Sequence, residues 1–256
     1  MRIHLLVVLV CGLLFLACPP DPAAAMPELV PPDWQDGEVA RYDIVRGDTV
    51  LFRSVVSLRF DEEFGTPTAV VTTTVEPDQA RQFFYDSSEV VFHRDSLRPI
   101  RSYRSLETDI GLFDIEARYD GDIVTVRRQS IEGIEEKRLK VDGPAFDNEM
   151  VSTMLRSVPL SPATEFTIRS FVPIDLRALH LDVTVLGTKL VPTGVGELMC
   201  REVLVETPNR EVRFWYELEE PHRMAGMTDP TNGTEMRLAG YTAAEDDSLG
   251  VRPALP

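Results

Sequence analysis

Downstream of the N-terminal segment, the side chains best suited to nucleophilic or metal chemistry are His93, His180, His222 and Cys200. None stands in a recognised catalytic spacing. A nucleophile elbow needs Gly-x-Ser-x-Gly on a strand–helix turn, and no such sequence occurs. Gly194-Val195-Gly196 lacks the third glycine and the following helix of a dinucleotide loop, so it reads as a turn. A Gly-Lys-Ser/Thr phosphate loop is also absent from the sequence. His180 and Asp182 lie two apart in a strand-like run and share a face, which is two ligands of a metal set with no third given by spacing. Asp61-Glu62-Glu63 and Asp246-Asp247 lack the oxygen-ligand spacing of a calcium loop. Cys200 sits in the run Leu198–Val203, where a buried structural thiol is expected; a nucleophile would need a neighbouring base and a lowered pKa. The expectation is no catalytic residue, no metal and no cofactor.

Binding chemistry has more to offer. Trp215 is flanked by Phe214 and Tyr216, so large aromatics point to both faces of one strand. That pattern serves either a central strand covered on both sides or the aromatic wall of a cleft for a lipid, acyl chain or glycan. In Phe146–Arg156, apolar residues fall at 146, 150, 151, 154 and 155, a helical spacing with Asp147 as cap and Pro159 beyond the end. The expected ligand cavity lies between this helix and a concave sheet, lined by Phe113, Ile115, Tyr119, Met150, Met154, Trp215 and Tyr216. The two methionines serve equally as core filler.

The elements that must position these residues are strands. Period-two alternation dominates from Gly37 onward: Ala40–Val45, Val50–Phe60, Ala69–Val75, Phe83–Tyr85, Glu89–His93, Phe113–Tyr119 and Ile123–Arg127. It resumes at Leu179–Val185, Leu198–Glu206, Glu211–Leu218, His222–Met227 and Thr234–Tyr241. Asp120-Gly121 between two alternating runs is a hairpin signal, because a type I′ turn needs positive φ at both central residues. The predicted fold class is all-β and mainly antiparallel: a curled sheet or open half-barrel with one short helix packed on its concave face. Residues 37–242 form one β-rich domain, and 243–256 a loose tail.

The first 25 residues read as an export signal: Arg2 and His4, the apolar run Leu5–Ala17, then Ala23-Ala24-Ala25 as a small-residue cleavage site. The apolar run falls short of the roughly 20 residues that span a bilayer. A cut after Ala25 releases a soluble protein. Leu14–Cys18 also resembles a lipobox, which would end the signal at 17, lipidate Cys18 and leave the Pro-rich stretch through 26–36 as a linker. Membrane contact would then be through that lipid anchor only. The net charge of −16 argues against a general basic field for nucleic acid or anionic headgroups. Three lysines accompany 23 arginines, so clusters such as Arg98, Arg101 and Arg104 are weak signs of an anion site. With Cys11 and Cys18 gone or modified, Cys200 has no partner and no disulfide framework exists.

The order of short motifs resembles the DUF3108 family of exported bacterial proteins. The residues that carry the resemblance are Tyr42-Asp43-Ile44, Leu97-Arg98-Pro99-Ile100 with Tyr103, and the helix Asp147–Leu160. They continue with Val185-Leu186-Gly187, Gly196–Val203 and Phe214-Trp215-Tyr216 leading to Pro221-His222-Arg223. It spans most of residues 38–242. It implies a periplasmic or lipid-anchored all-β domain, of the open half-barrel lipoprotein-carrier kind, and transfers no catalytic residue. The expected role is a non-catalytic module of the cell envelope that binds a lipid or other hydrophobic small molecule. A structural or assembly partner of envelope proteins, and then a hydrolase, are the alternatives.

Overall fold

The structure is a computed structural model that describes residues 26–78, 84–109, 111–159 and 161–243. The signal segment, Cys18 and nearly all of the expected tail lie outside the described residues. Among the described residues, fifteen strands form a single sheet. They are β1 (Glu38–Arg46), β2 (Thr49–Glu63), β3 (Thr66–Pro77), β4 (Phe84–His93), β5 (Pro99–Thr108), β6 (Gly111–Asp120), β7 (Ile123–Ser130) and β8 (Gly133–Lys140). The second half adds β9 (Phe146–Asp147), β10 (Glu165–Val172), β11 (Arg177–Thr193), β12 (Gly196–Thr207), β13 (Arg210–Glu217), β14 (Met224–Asp229) and β15 (Thr234–Thr242). The sheet runs β8 to β1 and then β15 back to β9, so the first and last long strands meet at its centre. Every pairing is antiparallel except the two-residue β9 against β10. Hairpins joining sequence neighbours explain this order, because adjacent strands need only short turns.

The β6–β7 hairpin is present, with a different turn. Asp120 pairs with Ile123, so Gly121-Asp122 is the central pair. Only Gly121 has positive φ (61°), the pattern of a type II′ turn. Phe84–His93 is one strand where the alternation gave two, because Ser88 occupies a buried position in the middle. β5, β8 and β10 have no counterpart among the alternating runs.

The helix is shorter as an α-helix than its spacing predicts. Asn148–Met150 and Leu155–Ser157 are 3-10 turns around a single α-helical turn, α1 (Val151–Met154). Asp147 caps the segment, its carboxylate accepting from the Glu149 N–H at 2.8 Å. Phe146, Met150, Met154 and Leu155 are all within 1% of full burial, packed with Phe92, Leu58 and Tyr216 in the main core. The sheet thus curls around the helix and is plugged by it.

Residues 26–36 are laid along this core and do not form a free linker. Trp34 is buried with its ring edge-on to Phe92 at 6.1 Å, and Val30 N–H donates to Ser157 O at 2.9 Å. Met26 and Leu29 pack on the same cluster. Apolar side chains spaced among the prolines supply the reason.

Candidate functional site

Among the described residues, three places that concentrate polar or aromatic groups differ in the space available at each. The first is the interface between helix and sheet. Arg156, at the C-terminal end of the helical segment, pairs with Glu38 of β1 and donates to Pro221 O at 2.9 Å. Both charged side chains are almost wholly buried, so the pair compensates charges that could not otherwise be desolvated. Tyr241 Oη donates to Glu38 at 2.9 Å and Tyr216 Oη to Ser152 O at 2.8 Å. The void left here is about 30 Å³, room for water and not for a ligand.

The second is the seam where the curled sheet meets the start of the helical segment. Arg104 of β5 holds Asp86 of β4 with two bonds of 2.9 and 2.7 Å, and Glu149 with one of 2.9 Å. Tyr119 of β6 donates to the buried Asp147 carboxylate. Burial pushes the Glu149 carboxyl up to about 7, against the pull of Arg104 and with the help of Asp147 and Asp86. Burial likewise raises Asp147 and Tyr119. Perturbed carboxyls are a mark of active sites. Here the void beside Arg104 and Glu149 is only about 10 Å³, although both side chains keep about a fifth of their surface exposed. The network fixes the helix on the sheet.

The third is a cleft on the outer face of the sheet. Phe214 and Tyr216 of β13 face the main core, and Trp215 between them faces the other way, against Cys200 and Ala225. β11 loses register between Val185 and Thr188, and from there the β11–β12 hairpin bends across the outer face. Its tip reaches β15, although three strands lie between β11 and β15 in the sheet: Gly194 N–H donates to Leu238 O at 2.7 Å. Glycine is required at this point, because a Cβ on Gly194 would lie 2.3 Å from Ala239 O. The arm so closed leaves a cleft of about 720 Å³ between itself, Trp215 and β15. That volume lies within the range of small-molecule sites. Lys189 sits on the arm with Nζ 3.9 Å from the Trp215 ring centroid, and Arg237 and Glu235 stand on β15, bonded to each other at 2.8 Å. Burial and the neighbouring Glu217 push the Cys200 thiol up to about 12, so it is inert beneath the indole.

The seven residues expected to line one cavity are therefore divided. Met150, Met154 and Tyr216 are fully buried filler of the main core. Ile115 and Tyr119 belong to the seam cluster, and Phe113 is half-buried on β6 opposite Leu106. Only Trp215 lines the cleft. The helix leaves no enclosed chamber because its methionines fill the space the chamber would need. Lys189, Gly194 and Arg237 went unread in the sequence as cleft residues. The signals for them were the Gly187 and Gly194-x-Gly196 interruptions of a strand pattern, which mark bends and close backbone approach. His180 and Asp182 share a strand face as expected; Thr167 donates to Asp182 and Arg169 stands beside His180. The free edge β8 carries Glu135, Glu136, Lys137, Arg138 and Lys140, charges that oppose pairing with another strand.

Comparison with known proteins agrees with this architecture. The family described as a protein of unknown function, DUF3108, matches residues 40–238. The chain belongs to the DUF3108 family. This DUF3108 chain is also similar to a β-barrel-like protein of the DUF1849 domain from Brucella abortus, known from a crystal structure. The two share 14% identity with a TM-score of 0.53, over 83% of this chain and 99% of that one. At such identity the likeness concerns the fold alone. No curated protein matches the chain.

Proposed function

We propose that this DUF3108 protein is an exported cell-envelope module that binds a small, partly apolar molecule in the Trp215 cleft and does not transform it. The observation that carries the reading is the arm of β11–β12, which is bent over the outer face and pinned by Gly194 so that a cavity of about 720 Å³ remains behind an aromatic floor. The buried Arg156–Glu38 network supports it from the other side, since the void beside it is only about 30 Å³. Export is supported by the order of residues 1–25. A lipid on Cys18 would leave a tether of at most about 29 Å to Met26, at 3.3–3.6 Å per residue.

Native mass spectrometry of the full chain, purified without denaturant from its own cells, tests the binding reading. The expected result is a bound species of small-molecule mass that a hydrophobic dye displaces. A protein of bare chain mass that takes up no dye contradicts it. Intact-mass measurement of the same sample separates the two cleavage sites.

A further inference from the structure

Four charged side chains surround the cleft: Asp43, Lys189, Glu235 and Arg237. Three of them are committed. Arg237 and Glu235 hold each other, and that bond, with the field of Lys189, keeps the Glu235 carboxyl below its ordinary value. Asp43 lies 3.8 Å from Arg53 Nε. Lys189 alone forms no ion pair among the described residues, and its ammonium rests over the indole ring. A cation over a ring gains about 0.5–2 kcal/mol, less than a full ion pair in a shielded site, and the ammonium keeps its N–H donors. Below the ammonium the walls are apolar: Trp215 and Ala225 are buried, and Val191 packs against them from the arm.

An uncommitted cation at the mouth of a cavity with an apolar floor is complementary to a molecule with an anionic head and an apolar body. We propose that the cleft takes a carboxylate-bearing amphiphile, its head at Lys189 and its chain against Trp215, Val191 and Ala225. The inference rests on the ligand-binding reading above and names the chemistry of the ligand. A neutral amphiphile of the same length would fill the same walls and leave Lys189 without its partner. A charge-assisted bond at Lys189 then separates the two probes by about tenfold or more in affinity.

Isothermal titration of decanoate and of decanol, into the wild type and Lys189→Met, tests this. The expected result is decanoate binding at least about tenfold tighter than decanol in the wild type, with the difference lost in the variant. Lys189 is exposed, so the variant is expected to keep the melting midpoint of the wild type. Equal affinities for the two probes, or a decanoate affinity unchanged by Lys189→Met, would overturn the head-group assignment and leave the binding reading standing. Failure of both probes to bind the wild type would overturn the binding reading itself.

Discussion

Tyr216 and Trp215 are adjacent on β13 and face two regions of opposite character. On the Tyr216 side, the helical segment fills the curve of the sheet, Phe146, Met150, Met154, Leu155 and Tyr216 are all within 1% of full burial, and the remaining void is about 30 Å³. On the Trp215 side, the sheet's outer face is covered by a bent arm only at its end, and about 720 Å³ stays open. Both sides have aromatic floors, and both have arginine or lysine nearby. What differs is whether the charges are satisfied and whether space remains. Arg156, Glu38, Arg104 and Glu149 are all bonded into the fold, whereas Lys189 lies over a ring face and forms no ion pair among the described residues. Aromatic and charged residues together thus mark packing in one region and a candidate site in the other.

If the interior is core and nothing else, deleting volume there costs stability and leaves the cleft intact. Met154→Ala should lower unfolding free energy by about 2–5 kcal/mol in urea titration, with decanoate affinity in the folded baseline unchanged. A variant that kept its stability and bound an amphiphile better would mean the interior can open as a chamber.

The seam gives a smaller, pH-dependent effect. Because burial raises the Glu149 pKa from 4.5 to about 7, folding favours its protonated form. The stability this contributes is present in full below pH 4.5 and is lost as pH climbs through about 7, a change on the order of 3 kcal/mol. Glu149→Gln should flatten the fall of the melting midpoint over that range, and Asp147, raised in the same direction, accounts for slope that remains. A midpoint that rises between those pH values in the wild type contradicts the assignment.

The architecture was legible where one strand face is apolar and the other wet, as in β1, β6 and β12. It was illegible where the inward face is polar. β5 turns Ser102 and Arg104 toward the seam, and β10 places Ser170 in the core, so neither gives a clean apolar period. β8 is an edge strand with charges on both faces and has no period to read. The helix and its Asp147 cap followed from spacing, because an apolar stripe and a capping side chain are local features. The cleft did not, because it depends on an arm folding over strands distant in sequence, and only the glycines hint at that bend.

The two tryptophans of the chain report the two regions separately: Trp34 lies in the main core and Trp215 in the cleft floor. The most direct test titrates decanoate into Trp34→Phe and Trp215→Phe and follows the emission of the indole that remains. A ligand seated in the cleft should give a saturable change in Trp34→Phe, where Trp215 is the reporter, and none in Trp215→Phe. A saturable change from Trp34 with Trp215 silent would place the ligand in the interior and contradict the account.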